Sequence, residues 1–217
     1  MPLSENYLLL ETLINMKHLI AIGILVLIVE NGFSQGSFFG GDAGINISTL
    51  RMYSTDGTSS STVFNQNVVR PTISFFYQKG ISNKFSIRTV VRYMGVGYQS
   101  EYYNLTTPPS TNIDYLTFQI SMNYHINKQL NIVVAPYLSF TLGGTQINNQ
   151  EITKTFHKND HGFSIGTEYD IYKNFAVGLH YYIGLKNIIL NDSQNGFEIT
   201  DTNRALQILV GYKFRKP

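Results

Sequence analysis

The sequence predicts an all-β protein: an eight-stranded antiparallel up-and-down transmembrane β-barrel, preceded by a cleavable signal-peptide helix. From about Phe39 to Phe214, eight segments alternate apolar and polar side chains residue by residue, which is the period of a β-strand. Very short turns and long polar loops join these segments in turn. A barrel in a bacterial outer membrane has this asymmetry, because its periplasmic ends need only tight hairpins while its outer ends are free to elaborate.

The first 34 residues are expected to form an N-terminal extension and a signal peptide, and residues 35–217 the barrel. Met16-Lys17-His18 supplies a short basic region, and an apolar run follows from Leu19 to Val29. The alternative, a membrane-anchoring helix, is disfavoured because a span requires about 20 apolar residues. The run is shorter than that and ends at Glu30.

Small residues follow the apolar run at the two positions that a signal peptidase reads, in Gly32-Phe33-Ser34. Cleavage is therefore expected between Ser34 and Gln35. Residues 1–15 resemble an over-long gene start, and the sequence leaves open whether translation begins at Met1 or Met16.

The composition agrees with a membrane barrel. The 217 residues carry a formal charge of +2, so no basic excess suggests a nucleic-acid ligand. Charged residues make up 14% of the chain, against about 25% in an average soluble domain, so much of the surface is expected to face something other than water. The absence of cysteine excludes thiolate metal sites, catalytic thiols, disulfides and a lipoprotein anchor.

Each of the eight segments has one apolar face, and the first segment has the weakest pattern. In chain order these faces are Ala43, Ile45 and Ile47; Val69, Pro71, Ile73, Phe75 and Tyr77; Phe85, Ile87, Thr89, Val91 and Tyr93; Leu116, Phe118, Ile120, Met122 and Tyr124; Leu130, Ile132, Val134, Pro136 and Leu138; Phe163, Ile165, Thr167, Tyr169 and Ile171; Phe175, Val177, Leu179, Tyr181 and Ile183; and Leu206, Ile208, Val210, Tyr212 and Phe214. Segments of about ten residues suit tilted strands that cross a hydrocarbon layer.

The connections between these segments fall into two classes. The short ones are Lys79–Lys84, His125–Gln129 and Tyr172–Asn174, and the long ones are Tyr53–Asn67, Gln99–Asn112, Gly143–Asp160 and Lys186–Asn203. The long loops are therefore expected outside the cell and the short turns in the periplasm.

A soluble sandwich or a lipocalin-like barrel would show the same alternation, with the apolar face buried. Two observations favour an apolar face turned to lipid. The polar faces carry small residues such as Gly162, Ser164 and Gly178, where a soluble exterior would carry more Lys and Glu. Aromatic residues also gather beside the short turns, as in a membrane-interface girdle: Tyr77, Phe85, Tyr124, Tyr172, Phe175, Tyr212 and Phe214.

Ionisable residues on the polar faces are expected inside the barrel. They are Arg70, Arg88, Arg92, Glu168, Asp170 and His180. The interior of an eight-stranded barrel is filled by side chains, so a solute channel is not expected. A structural network of ion pairs and hydrogen bonds is favoured over a proton or ligand site, because charges removed from water need partners.

An Asp160-His161 pair, with His157 nearby, lies where the third long loop enters the sixth segment. Such a pair at an exposed rim would suit water activation, as in omptin-like proteases. Those enzymes use a second acidic pair, for which this sequence has no counterpart. A solvated loop cluster is the favoured interpretation, and no enzyme activity, cofactor or metal is expected.

Several stretches resemble the PorT-like outer-membrane β-barrel family. They are YLTFQI at 115–120, APYL at 135–138, GFSIGTEY at 162–169 and YYIGLKNI at 181–188. The ending LQILVGYKF at 206–214 is similar to the family's closing strand and to the aromatic-terminated signal that the barrel-assembly machinery reads. The resemblance implies a Gram-negative outer-membrane protein, and one namesake is linked to type IX secretion.

Two classes of function are expected from the sequence. One is a structural or surface-binding barrel acting through its extracellular loops, and the other is an accessory of an envelope secretion system; a rim-located hydrolase ranks third. The first loop, Ser54–Thr62, is rich in Ser, Thr and Gly and predicted to be flexible, while the other loops carry Tyr102, Tyr103, Phe156 and Phe197 as contact anchors. Expected partners are outer-membrane lipid, the barrel-assembly machinery and a surface or secretion protein, with no nucleic acid.

Overall fold

The computed structural model describes residues 36–55, 60–99, 110–145, 157–172, 174–188, 193–194 and 197–214. The expected extension and signal peptide, with the cleavage between Ser34 and Gln35, lie outside these residues. So do the loop aromatics Tyr102, Tyr103 and Phe156 and the side chain of Phe197. Within the described part, no helix is long and apolar enough to cross a membrane.

The described residues form antiparallel strands. Their bounds are β1 Ser37–Thr55, β2 Ser60–Phe64, β3 Gln66–Gly80, β4 Phe85–Gln99, β5 Ser110–His125, β6 Leu130–Thr145, β7 Asn159–Tyr172, β8 Phe175–Gly184, β9 Ser193–Gln194 and β10 Phe197–Phe214.

Eight of these strands close into a barrel. The neighbours pair in the order β1, β3, β4, β5, β6, β7, β8 and β10, and β10 pairs back onto β1 from Phe39↔Phe214 to Thr55↔Glu198. The short strands β2 and β9 pair with β1 and β10 at the long-loop end. The predicted eight-stranded antiparallel barrel is confirmed.

Two of the predicted long loops are partly strand. The Ser/Thr-rich first loop was expected to be flexible, but β1 continues to Thr55 and pairs with β2, and the hydroxyls of Ser54 and Ser61 are 2.8 Å apart. The β-branched residues of Ser60–Phe64 favour this extended pairing. Likewise β10 begins at Phe197, inside the fourth predicted loop.

Burial follows the predicted alternation with the apolar side outward. On β5, Ile120 and Met122 are 40% and 57% exposed, whereas Gln119 and Ser121 on the other face are 3% and 1% exposed. A water-soluble barrel would show the opposite distribution. The core of the molecule therefore lies inside the barrel and is mostly polar toward the short-turn end.

The expected girdle residues lie beside the short turns, and several contact one another across strands. The ring centroids of Phe85 and Tyr124 are 5.2 Å apart, and those of Phe175 and Tyr212 are 5.0 Å apart. Phe39, which was not among the predicted girdle residues, also contacts Tyr77, with ring centroids 5.0 Å apart and ring planes tilted by 45°. It alternates in step with Ala43 and Ile45, so extending that pattern to the start of β1 would have identified it.

Candidate functional site

The interior of the barrel contains a cross-lumen ion pair between Arg88 of β4 and Glu168 of β7. The guanidinium binds both carboxylate oxygens, and Nη2 donates to Oε2 at 2.7 Å. Nε also donates to Gln78 Oε1 at 2.8 Å, and the guanidinium carbon lies 4.3 Å from the centre of the Phe76 ring. Both charged residues are about 95% buried. The pair ties the third barrel strand across the lumen to the sixth, three strands further round the ring of eight.

His180 of β8 extends the Arg88–Glu168 pair. Its Nε2 lies 3.5 Å from Glu168 Oε1. The imidazole fits because the neighbouring lumen position is Gly166, where an added Cβ would lie 2.7 Å from the ring. The small residues on the polar face of β7 therefore make room for the side chains of the adjacent strand.

Arg92 of β4 forms a second buried cluster. It lies four residues further along β4 than Arg88, away from the short turns. It donates to Asp42 of β1 at 3.2 Å and to Gln207 of β10 at 2.7 Å, and it contacts the hydroxyl of Tyr182. Asp42 also accepts from Ser74 at 2.6 Å. This cluster links the closing strands β1 and β10 to β4 through side chains.

A third ion pair lies at the short-turn end of the lumen, between Asp170 of β7 and Lys213 of β10. Asp170 was expected on this face, whereas Lys213 and Asp42 were missed. Both alternate with outward-facing neighbours, Lys213 with Tyr212 and Phe214, so face-by-face reading of the first and last strands could have found them.

Arg70 does not join the lumen network, contrary to expectation. Its Nη2 lies 2.8 Å from Asp114 Oδ1, and the two side chains are 25% and 34% exposed. Asp114 is on the outward face, because its neighbours Ile113 and Tyr115 are buried inside. The reason is a bulge: β3 has one extra residue between Asn67 and Thr72 relative to β4, and a bulge re-aims the side chains around it.

The half of the lumen nearer the long loops is filled by an apolar cluster, here called the tyrosine plug. Its members are Leu50, Met94, Val96, Ile113, Tyr115, Tyr137, Tyr182, Ile188 and Ala205. Ile188 follows β8 and is fully buried. Its backbone N–H donates to Asp201 O at 2.9 Å, and its carbonyl accepts from the His157 N–H at 2.8 Å. The segment after β8 is thereby held inside the barrel mouth.

Asp160 and His161 do not form the pair that the sequence suggested. They are consecutive in β7, so their side chains point to opposite faces. Asp160 is fully buried in the lumen and accepts from Asn203 Nδ2 at 2.9 Å, whereas His161 is exposed on the outer wall. The two side chains cannot act together on one water molecule.

Little free space remains near the ion pairs. A cavity of about 20 Å³ borders Arg88, Glu168, Gly178 and Lys213, which is room for about one water molecule. Among the described residues, no three His, Asp or Glu side chains come together to hold a metal ion. The lumen is therefore a packed polar and aromatic interior.

A comparison with protein families decides the class of the chain. The family model described as "Outer membrane protein beta-barrel domain" matches residues 19–214. The chain belongs to this family. The barrel is accordingly a bacterial outer-membrane protein.

The chain is also similar, at low sequence identity, to several solved structures. Neisserial surface protein A is 15% identical over 83% of this chain and 100% of its own, with a TM-score of 0.49. OprG from Pseudomonas aeruginosa is 11% identical over 85% of this chain and 99% of its own, with a TM-score of 0.45. Ail, the attachment invasion locus protein of Yersinia pestis, is 10% identical over 80% of this chain and 99% of its own, with a TM-score of 0.38. Similarity at this level bears on the fold alone. No curated protein sequence matches the chain.

The orientation of this outer-membrane barrel can be tested on intact cells. A protease added outside should cut between Tyr53 and Asn67 or between Gly143 and Asp160, because the long connections leave the barrel at its outer end. The turns that hold Lys84 and Lys128 should be cut only after the cells are permeabilised, as mass spectrometry of the fragments would show. Cleavage after either lysine in intact cells would invert the orientation.

Proposed function

We propose that this protein is a non-catalytic outer-membrane barrel that acts at the cell surface, through a partner bound by its extracellular loops. The observation that supports this is the filled interior. Ion-paired charges occupy the half of the lumen nearer the short turns, and the tyrosine plug occupies the half nearer the long loops. A barrel filled in this way offers a rigid support for its loops rather than a path for solutes.

The geometry of the rim gives no support to a hydrolase. A general base must lie within hydrogen-bond reach of the water that it activates, and an orienting group must hold that base. Asp160 is turned into the lumen and His161 toward the outside. We therefore keep the rim-hydrolase interpretation below both binding and accessory roles.

The proposal is tested with a deletion strain complemented by loop variants. Adhesion or envelope integrity should be impaired in the deletion and restored by the wild-type protein. Replacing Tyr102 and Tyr103 with serine should abolish this restoration, because aromatic side chains supply most of the energy of such contacts. A variant changed in a periplasmic turn, Lys128→Ser, is the matched control and should restore the phenotype fully. Surface labelling must show equal amounts of each folded barrel.

The PorT-like resemblance supplies the competing role, an accessory of a protein-secretion machine. The same strains distinguish the two roles through the proteins in the culture supernatant. An unchanged set of secreted proteins, together with altered adhesion, supports the surface role. A general loss of secreted proteins would contradict it and support the accessory role.

We also propose that the barrel-assembly machinery inserts the chain by reading β10. This strand ends in alternating outward aromatics, Tyr212 and Phe214, whose ring centroids are 5.1 Å apart. Phe214→Ser should lower the amount of assembled barrel without lowering synthesis, as a comparison of membrane and total protein would show. Equal assembly of the variant would contradict this role of β10.

A further inference from the structure

Two arginines lie side by side on the outward face of the closing seam. Arg51 of β1 follows the buried Leu50, and Arg204 of β10 lies between the buried Asn203 and Ala205, so both side chains point away from the lumen. Thr49 pairs with Arg204, which makes Arg51 and Arg204 diagonal neighbours across the seam. Side chains in this relation are about 7–8 Å apart at their backbones, within reach of each other for long residues.

Neither guanidinium has an anionic partner among the described residues. Arg204 Nη1 donates to two backbone carbonyls, Gly184 O at 2.7 Å and Asn203 O at 2.8 Å, which fixes the side chain against the wall. Its Nε and Nη2 have no partner within that part of the chain. Two like charges at this separation repel each other, and more strongly where water is partly excluded. On the outward face of β3 and β5, by contrast, Arg70 is paired with Asp114 at 2.8 Å.

The depth of Arg51 and Arg204 in the membrane can be estimated from their distance to the aromatic girdle. Arg204 lies ten residues along β10 from Phe214, and Arg51 lies twelve residues along β1 from Phe39. With a rise of about 3.3 Å per residue and a tilt of about 40°, these guanidiniums are about 25 and 30 Å above the girdle. The apolar band of such a barrel is about 25 Å tall. The two charges are therefore at the outer boundary of the hydrocarbon, level with the lipid head groups.

We propose that Arg51 and Arg204 together bind a phosphate group of a phosphorylated glycolipid in the outer leaflet. Guanidinium groups present forked donors that match phosphate oxygens, and such charge-assisted hydrogen bonds are strong where water is partly excluded. The outer leaflet offers lipid A, whose phosphates lie at this depth. An anion between the two arginines also removes their mutual repulsion. This site is on the wall of the barrel and is independent of any partner of the loops.

The test measures lipid retention by the folded full-length barrel. The protein is reconstituted into phosphatidylcholine nanodiscs that contain either lipid A or its dephosphorylated form, and bound lipid is counted by native mass spectrometry. The wild type should retain lipid A about tenfold better than the dephosphorylated form, as expected from one or two charge-assisted contacts. Arg51→Gln with Arg204→Gln should lose this preference. Lys84→Gln with Lys128→Gln removes the same charge from the exposed periplasmic turns and should keep it.

Equal retention of the two lipids by the wild type would overturn the proposal, and this result needs no variant. An unchanged preference in the arginine double variant, or an equal loss in the lysine control, would also overturn it. Displacement of lipid A by inorganic phosphate at the same concentration would show a site for free phosphate and not for a lipid. A variant with replaced extracellular loops should retain lipid A fully. A failure of the lipid site can therefore be told apart from a failure of the proposed surface role.

Discussion

Glu168→Gln should lower the free energy of unfolding of the barrel by about 3–5 kcal/mol, the usual cost of leaving a buried charge without its partner. The charge left behind is that of Arg88, which is 4% exposed and held between Gln78 and the Phe76 ring. Urea titration of the barrel refolded in lipid vesicles measures the change. A loss below about 1 kcal/mol, the value typical of exposed pairs, would show that the lumen is well hydrated.

A double-mutant cycle tests whether the loss comes from the pair itself. Arg88→Met combined with Glu168→Gln should cost less than the two single changes together, by about 0.5–3 kcal/mol, because the double variant buries no unpaired charge. Combining Glu168→Gln with Lys84→Gln in an exposed turn is the matched control and should be additive. Strict additivity of the Arg88 and Glu168 changes would mean that the contact contributes nothing to stability.

Ile120→Arg should destabilise the barrel by about 2–4 kcal/mol, because it places a charge near the middle of the lipid layer. Ile120 is 40% exposed on the outward face of β5, four residues from the girdle residue Tyr124. The same refolding titration measures this loss, and Val134→Arg at a similar depth on β6 should behave alike.

Ile126→Arg is the control for the Ile120 change, because it makes the same substitution in the turn after β5, outside the apolar band. It should change the free energy of unfolding by less than about 0.5 kcal/mol. Equal tolerance at both positions would mean that the outward face does not contact lipid.

Much of the architecture could be predicted because a β-strand has a period of two. The period assigned Ile120 and Ser121 to opposite faces without knowledge of the pairing, and the alternation of short and long connections gave the up-and-down order. Counting strands around a ring of eight put Arg88 and Glu168 on strands that lie roughly across the lumen from each other. Such inferences need only local pattern and chain order.

The remaining features depend on long-range interactions, which produce no periodic pattern in the sequence. A single extra residue between Asn67 and Thr72 carries Arg70 out of the lumen. Pro71 lies in this stretch and is a local sign of a bulge, because proline inside a sheet is confined to edges and bulges, but it does not indicate to which face Arg70 turns. Ile188 lies within a stretch predicted as loop, and its burial depends on backbone contacts with Asp201 and His157, both distant in sequence. Ser54 becomes part of a strand because a partner strand is available. In each case the position is fixed by long-range contacts.

The seam between β1 and β10 has a consequence for how the barrel forms. It joins the two ends of the sheet along seventeen residue pairs, from Phe39↔Phe214 to Thr55↔Glu198. Until that seam exists, both edges present unpaired backbone groups along their whole length, and hydrocarbon does not tolerate such groups. The unclosed sheet can therefore be stable only where water or another protein's strand covers its edges. Once the last strand is paired, reopening the seam within the membrane would leave backbone groups unsatisfied in hydrocarbon, so closure should commit the chain to the membrane.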